Sequence, residues 1–113
     1  MLHVTSEKRA SHAAKSSDTE CLERRSIKAS SALLKAISNE NRLMMLILLR
    51  CGEKSVQEIG SALKLRQPTV SQHLARLRDE GLVQTRRQGQ AIYYSLSSTK
   101  AKRVIDLLRK LYS

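Results

Sequence analysis

Between residues 66 and 90 stands a group of side chains whose types suit reading a nucleic acid. Thr69, Gln72, His73 and Arg76 fall at i, i+3, i+4 and i+7, so a helix brings them onto one face. Gln67 and Ser71 lie beside them at the N-terminal end of the same stretch. Glutamine can bond adenine through two contacts, serine and threonine can meet base edges or thymine methyls, and a helix N-terminus favours a phosphate. Arg66, Arg86 and Arg87 bracket this neutral surface with charges suited to the phosphate backbone, and Gln90 completes the set beside a glycine turn. A helix face that is merely solvated usually carries Glu and Lys rather than Thr, Ser, Gln and His. His73 divides evenly between a phosphate contact and a local hydrogen bond that serves only structure.

The other reactive side chains form no comparable set. Cys21 and Cys51 are the two cysteines, too few and too far apart for a disulfide framework or a CxxC motif, which fits a reducing compartment. An inert thiol is the ordinary state of each, and Cys51 or Cys21 is kept as a candidate thiol sensor. The three histidines and scattered acids make no pairing of nucleophile and base, and no glycine loop to cradle a phosphate is present. The expectation is a protein that is not an enzyme and takes no cofactor.

A chain of 113 residues with 41% apolar residues accommodates one small globular domain and excludes a two-lobed enzyme. Phe and Trp are absent, so 17 Leu and 6 Ile must build the core, which suits helices packed on helices. So small a core is marginal, and dimerisation would supply further burial. The net charge of +11 is spread along the chain: six basic and four acidic side chains precede residue 31, and five and one follow residue 90. Charge therefore supplies affinity without naming the partner. The longest apolar run, Leu43–Leu49, sits between Arg42 and Arg50 and is far below the roughly 20 residues that cross a bilayer. With no apolar leader at the N-terminus, the expected location is the cytoplasm, with no membrane partner.

The elements that must hold the reading face follow from periodicity. Residues 1–18 are too polar to bury a face and are expected to be a disordered tail, leaving 19–113 as the domain. From about Thr19, Leu22, Ile27, Leu33, Leu34 and Ile37 are spaced for one apolar helix face. Ser38-Asn39-Glu40-Asn41 offers capping side chains, and Arg42–Arg50 reads as a central helix, apolar all round. Ser55 with Glu58 forms a capping box for a short third helix striped by Val56, Ile59, Leu63 and Leu65. Gln67 is expected as the N-cap of a fourth helix with Pro68 its first residue, and Val70, Leu74 and Leu77 as its inward face. Gly81 ends that helix. Leu82–Arg87 and Ala91–Leu96 flank Gln88-Gly89-Gln90 as a hairpin, and Thr99–Leu111 closes the chain as a fifth helix. The fold class expected is mainly α with a small β-hairpin: a winged helix-turn-helix of five helices plus wing.

Ile37-Ser38-Asn39-Glu40-Asn41-Arg42-Leu43, Gln67-Pro68-Thr69-Val70-Ser71-Gln72-His73-Leu74, Gly81-Leu82-Val83, and Arg86-Arg87 through Ile92-Tyr93-Tyr94-Ser95 closely resemble the ArsR/SmtB family of bacterial winged-helix repressors. Within it, the resemblance is to the branch of nodulation regulators, haemolysin activators and biofilm repressors, and it covers about residues 25–112. It implies a homodimer joined through the first and last helices, binding double-stranded DNA at a pseudo-palindromic operator and blocking transcription. The family's metal sensors place cysteines near the start of the third helix, where this chain has Ser55 and Gln57. A second family site uses Asp and His in the last helix, where Asp106 is the one acid and no His occurs, so no metal is expected. Relatives with a dithiol switch pair a cysteine of the second helix with one of the last, and the last helix here has none. Alternatives of other kinds are a winged-helix module that binds proteins or nucleic acid without sequence preference, and a thiol-responsive repressor.

Overall fold

The computed structural model describes the backbone of residues 13–113 and the side chains from Glu23 onward. Most of the expected polar tail, and the Cys21 side chain, lie outside the described residues. The first helix, α1 (Ala13–Ile37), starts ahead of its expected beginning near Thr19. Ala13, Ala14 and Lys15 are strong helix formers, and a favourable backbone propensity needs no apolar face to extend a helix.

The chain divides into two compact units after Ser31. In the first, every described side chain of α1 from Glu23 to Ser30 is exposed, Ile27 included at 65%. The second unit opens with the end of α1, where Ala36 and Ile37 are buried and Leu34 is exposed. Among the described residues, the apolar face read for α1 is therefore buried only at its C-terminal end.

Helix α2 (Glu40–Arg50) starts at Asn39, whose side chain accepts from the Arg42 N–H at 3.0 Å. It buries Met45, Leu46 and Leu49 as the central helix. Ser55 precedes α3 (Val56–Leu63) and makes both bonds of the expected capping box: its hydroxyl accepts from the Glu58 N–H at 3.1 Å, and its own N–H donates to Glu58 Oε1 at 2.8 Å. The turn after α3 is tight. Lys64 takes a left-handed φ of 57°, and the Leu65 N–H folds back onto the Gly60 carbonyl at 3.0 Å. A β-carbon on Gly60 would meet the Leu65 carbonyl oxygen at 3.0 Å, so the close return of the chain favours glycine there.

Helix α4 (Gln67–Asp79) is capped by Arg66, in extended conformation at φ −73° and ψ 149°, rather than by Gln67. Pro68 thus occupies the second helical position. The correction has a simple cause: any of the first-turn N–H groups lacks an intrahelical partner, so the ring is tolerated one place further in. Val70, Leu74 and Leu77 are fully buried, as their spacing requires.

Strands β2 (Val83–Gln88) and β3 (Ala91–Leu96) pair antiparallel from Val83↔Leu96 to Gln88↔Ala91. Gly89, at φ +62°, opens the two-residue turn, as a type II′ hairpin demands. A two-residue strand, β1 (Lys54–Ser55), adds to the free edge of β3 opposite Tyr94 and Tyr93, giving a three-stranded sheet of order β1-β3-β2 where a hairpin alone was expected. Two residues carry no periodicity that could have announced this strand.

Helix α5 (Thr99–Leu111) is capped by the Ser98 hydroxyl, which accepts from the Ala101 N–H at 3.0 Å. Its Ile105 joins Met45, Leu46, Ile59, Val70, Leu74 and Leu77 as the large fully buried side chains. All are aliphatic or thioether, and each contributes roughly 1.5–3 kcal/mol through burial. Among the described residues no buried polar side-chain atom lacks a partner, and no helix is long and apolar enough to cross a membrane.

Candidate nucleic-acid interface

The inward pull of Val70, Leu74 and Leu77 decides what α4 shows outside. Gln67, Ser71, Gln72 and Arg76 are exposed, Thr69 is half-buried at the flank, and Arg66 is exposed just before the helix. Apart from its bracketing arginines the surface is uncharged, and exposed amide and hydroxyl groups on it can both donate and accept.

His73 behaves differently from its neighbours on the sequence. It is half-buried, and its Nδ1 lies 3.5 Å from Nη1 of Arg42 on α2. Partial burial first, and the Arg42 charge second, hold the imidazole below its ordinary value of 6.5. Of its two readings, the geometry places it in the local contact. Arg42 itself reaches further: Nε donates to the Ala36 carbonyl and Nη2 to the Lys35 carbonyl at 3.1 Å, both at the end of α1. Sequence reading gave Arg42 no role, since a lone arginine in the first turn of an apolar helix reads as solvated.

The wing separates the two arginines that the sequence sets side by side. Successive strand residues face opposite sides of a sheet, so Arg86 and Arg87 diverge. Arg86 is engaged: Nε and Nη2 bond both oxygens of Glu53 at 3.0 and 2.8 Å. Its Nη1 donates to Gln88 Oε1 at 2.7 Å, and the guanidinium lies 4.9 Å above the Tyr93 ring. The hydrogen bonds from Arg86 hold the Glu53 carboxyl below its ordinary range. Arg87 is exposed on strand β2 opposite Ile92. Glu53 went unremarked in the sequence because it lies in a loop, 33 positions from its partner.

Gln90, exposed in the hairpin turn, borders a groove of about 410 Å³ shared with Ser55, Val56, Gln57, Gln67, Ala91 and Ile92. The start of α3, the start of α4 and the wing tip thus converge around amide side chains. Gln57 was missed as a member; its only signal was an exposed polar position in the first turn of α3.

A tight helix-turn-helix followed by a β-wing is the architecture that comparison with known proteins bears out. Residues 39–85 match the model of the family described as bacterial regulatory protein, arsR family. The transcriptional activator HlyU of Vibrio cholerae is 50% identical over 91 residues, which cover 80% of this chain and 83% of HlyU. The chain belongs to the arsR family of bacterial regulatory proteins. It is accordingly a DNA-binding transcriptional regulator, a class without enzymatic activity.

Other members agree with that membership. The biofilm growth-associated repressor of Agrobacterium fabrum is 44% identical over 80 residues, 71% of this chain and 68% of that protein. Reduced HlyU superposes on the ArsR-family chain with a TM-score of 0.76 at 48% identity, covering 80% of this chain and 95% of HlyU. A homodimeric winged helix-turn-helix DNA-binding domain from Mycobacterium bovis does so with a TM-score of 0.71 at 30% identity, covering 79% and 82%. The expected family, winged-helix fold and role as a DNA-binding transcriptional regulator are therefore borne out, and the relatives include both an activator and a repressor.

Beyond DNA, the remaining candidate is Cys51. Its side chain is exposed at the end of α2, with Sγ 3.8 Å from the Ile47 carbonyl. Among the described residues no three His, Cys, Asp or Glu side chains come together as a metal-binding group.

Proposed function

We propose that the protein is a repressor that binds a pseudo-palindromic operator as a homodimer, with α4 in the major groove and the wing against the flanking backbone. The observation that carries this reading is the outward face of α4. Gln72 and Ser71 stand exposed for base edges, while Arg66 and Arg76 at its borders and Arg87 on the wing meet phosphates. Thr69 flanks the base-reading group, and Gln67 and Gln90 border the groove beside it. Arg86 belongs to this interface as the strut that fixes the wing rather than as a free phosphate contact, because Glu53 and Gln88 take up its guanidinium. His73 contributes through Arg42.

The dimer part of the proposal rests on unspent apolar surface. On α5, Leu107 is 54% and Leu111 63% exposed, and Tyr112 just beyond is 85% exposed. Tyr112 also lines a groove of about 380 Å³ with Leu43, Ile47, Ile105 and Leu108. On α1, Ile27 and Leu34 are also exposed. Apolar patches of this kind mark association surfaces, and a second copy joined through the first and last helices would cover them. No metal effector enters the reading: Ser55 and Gln57 stand at the start of α3, and Arg50 holds both oxygens of Asp106, at 3.0 and 3.1 Å.

Selection from a pool of random duplexes, followed by footprinting, tests the proposal. The expected result is a two-fold site with half-sites about one helical turn apart, bound by a species of twice the chain mass in sedimentation, whose occupancy blocks transcription from an overlapping promoter. If random duplex displaces the protein as effectively as any selected site, the operator reading is wrong.

A further inference from the structure

Three elements meet at one side chain. Arg42 leaves the first turn of α2, and its guanidinium spans the last carbonyls of α1, at Lys35 and Ala36, and the imidazole of His73 on α4. His73 follows Gln72 directly on a helix that Val70, Leu74 and Leu77 already orient, so a restraint on the ring adds to that packing in holding the azimuth at which Gln72 is offered. Arg42 is half-buried, and its contacts with Lys35, Ala36 and His73 restrain the guanidinium.

We infer that Arg42 is a positioning residue for operator recognition: by clamping Nδ1 of His73 to the end of α1, it sets how α4 presents Gln72, and protonation of His73 releases the clamp. The inference rests on the DNA-reading role of α4 proposed above.

The chemistry has a fixed direction. Nδ1 can accept from Arg42 only while it carries no proton, so the clamped ring is the neutral tautomer with its hydrogen on Nε2. Adding a proton turns the acceptor into a donor and places two cations 3.5 Å apart. The charges facing the pair oppose that proton. Arg42 comes from α2, Arg76 from the next turn of α4 bears on Arg42, and α1 offers backbone carbonyls, which already accept from Arg42. The two ion pairs among the described residues, Arg50–Asp106 and Glu53–Arg86, involve neither group. The partial burial that keeps His73 neutral near pH 7 acts in the same sense. Acidification therefore converts a contact into a repulsion at the base of the reading face.

The test measures the ratio of affinities for a selected operator and a random duplex, at fixed salt, between pH 8 and pH 5.5. The proteins compared are wild type, Arg42→Met, Arg42→Lys and His73→Asn, each checked for folding by thermal melting. The wild-type ratio is expected to fall by at least about fivefold on acidification, the low end of ordinary coupling between sites. His73→Asn should flatten that profile, because an amide cannot take up the proton. Arg42→Met should lower the ratio at pH 8 and also flatten the profile, with Arg42→Lys restoring part of the ratio. Should Arg42→Met not fold, His73→Asn alone decides through the profile. Nitrogen NMR of the imidazole in wild type and Arg42→Met adds a direct readout, with the ring expected to take up its proton at higher pH in the variant, where the opposing charge is gone. A folded Arg42→Met with the wild-type ratio, or a His73→Asn profile as steep as wild type, overturns the positioning role while leaving the operator reading intact. A wild type that prefers no site at pH 8 overturns both.

Discussion

Replacing Gln72 by alanine should separate recognition from stability more cleanly than any other single change. Gln72 is exposed, and two residues along the helix Leu74 has no exposed surface, so the truncation removes an amide without opening the core. Alanine is the best helix former, and stability should stay within about 0.5 kcal/mol of wild type. On DNA the loss is larger. A bidentate amide–adenine pair discriminates by roughly 1–3 kcal/mol, and a symmetric dimer uses it twice, giving about 2–6 kcal/mol at a two-fold site. At about 1.4 kcal/mol per tenfold, operator affinity falls roughly 30-fold to 20,000-fold. Affinity for random duplex, which phosphate contacts dominate, should change less than about twofold. Equilibrium titration of both duplexes at one salt concentration, beside a thermal melt, reads all three quantities. An equal loss on both duplexes, or an unchanged operator affinity, would refute base reading by Gln72.

The wing makes a contrasting prediction. Arg87→Ala should weaken operator and random duplex alike and reduce the slope of log affinity against log salt by about one, whereas Arg86→Ala should act by loosening the wing, seen as faster amide exchange in β2 and β3. Ser55→Ala removes one bond of the capping box and unsettles the other, which costs about 1 kcal/mol and shows as a lower Tm. Leu74→Ala should cost about 2–5 kcal/mol in denaturant titration, because its side chain is fully buried. Acid should act through two carboxyls: Arg50 holds Asp106 below its ordinary value of 3.8, and Arg86 holds Glu53 below 4.5. Their folded values are depressed, so their stabilisation is present above those ordinary values and lost as pH falls through the folded ones. Asp106→Asn with Glu53→Gln should flatten that acid limb of the stability profile.

Much of the local structure was legible because it depends on residues close in sequence. The capping box at Ser55 and Glu58, the inward stripe Val70, Leu74 and Leu77, and the helix Thr99–Leu111 all follow from spacings that repeat within a few turns. The boundary at Gln67 was placed one residue late because a proline fits several first-turn positions equally well. The strand Lys54–Ser55 escaped notice because its pairing with Tyr93 and Tyr94 is a tertiary event between distant segments.

The candidate site divides the same way. Sequence alone determined which neutral and basic side chains share the outward face of α4, since helical period and apolar burial leave them no other place. Only the tertiary structure decided that Arg86 is tied to Glu53 while Arg87 stands open, and that His73 turns to Arg42 rather than outward. The physical reason is range. Periodicity is a property of neighbours along the chain, whereas an ion pair across 33 residues or a hydrogen bond across 31 exists only after folding has brought the partners together.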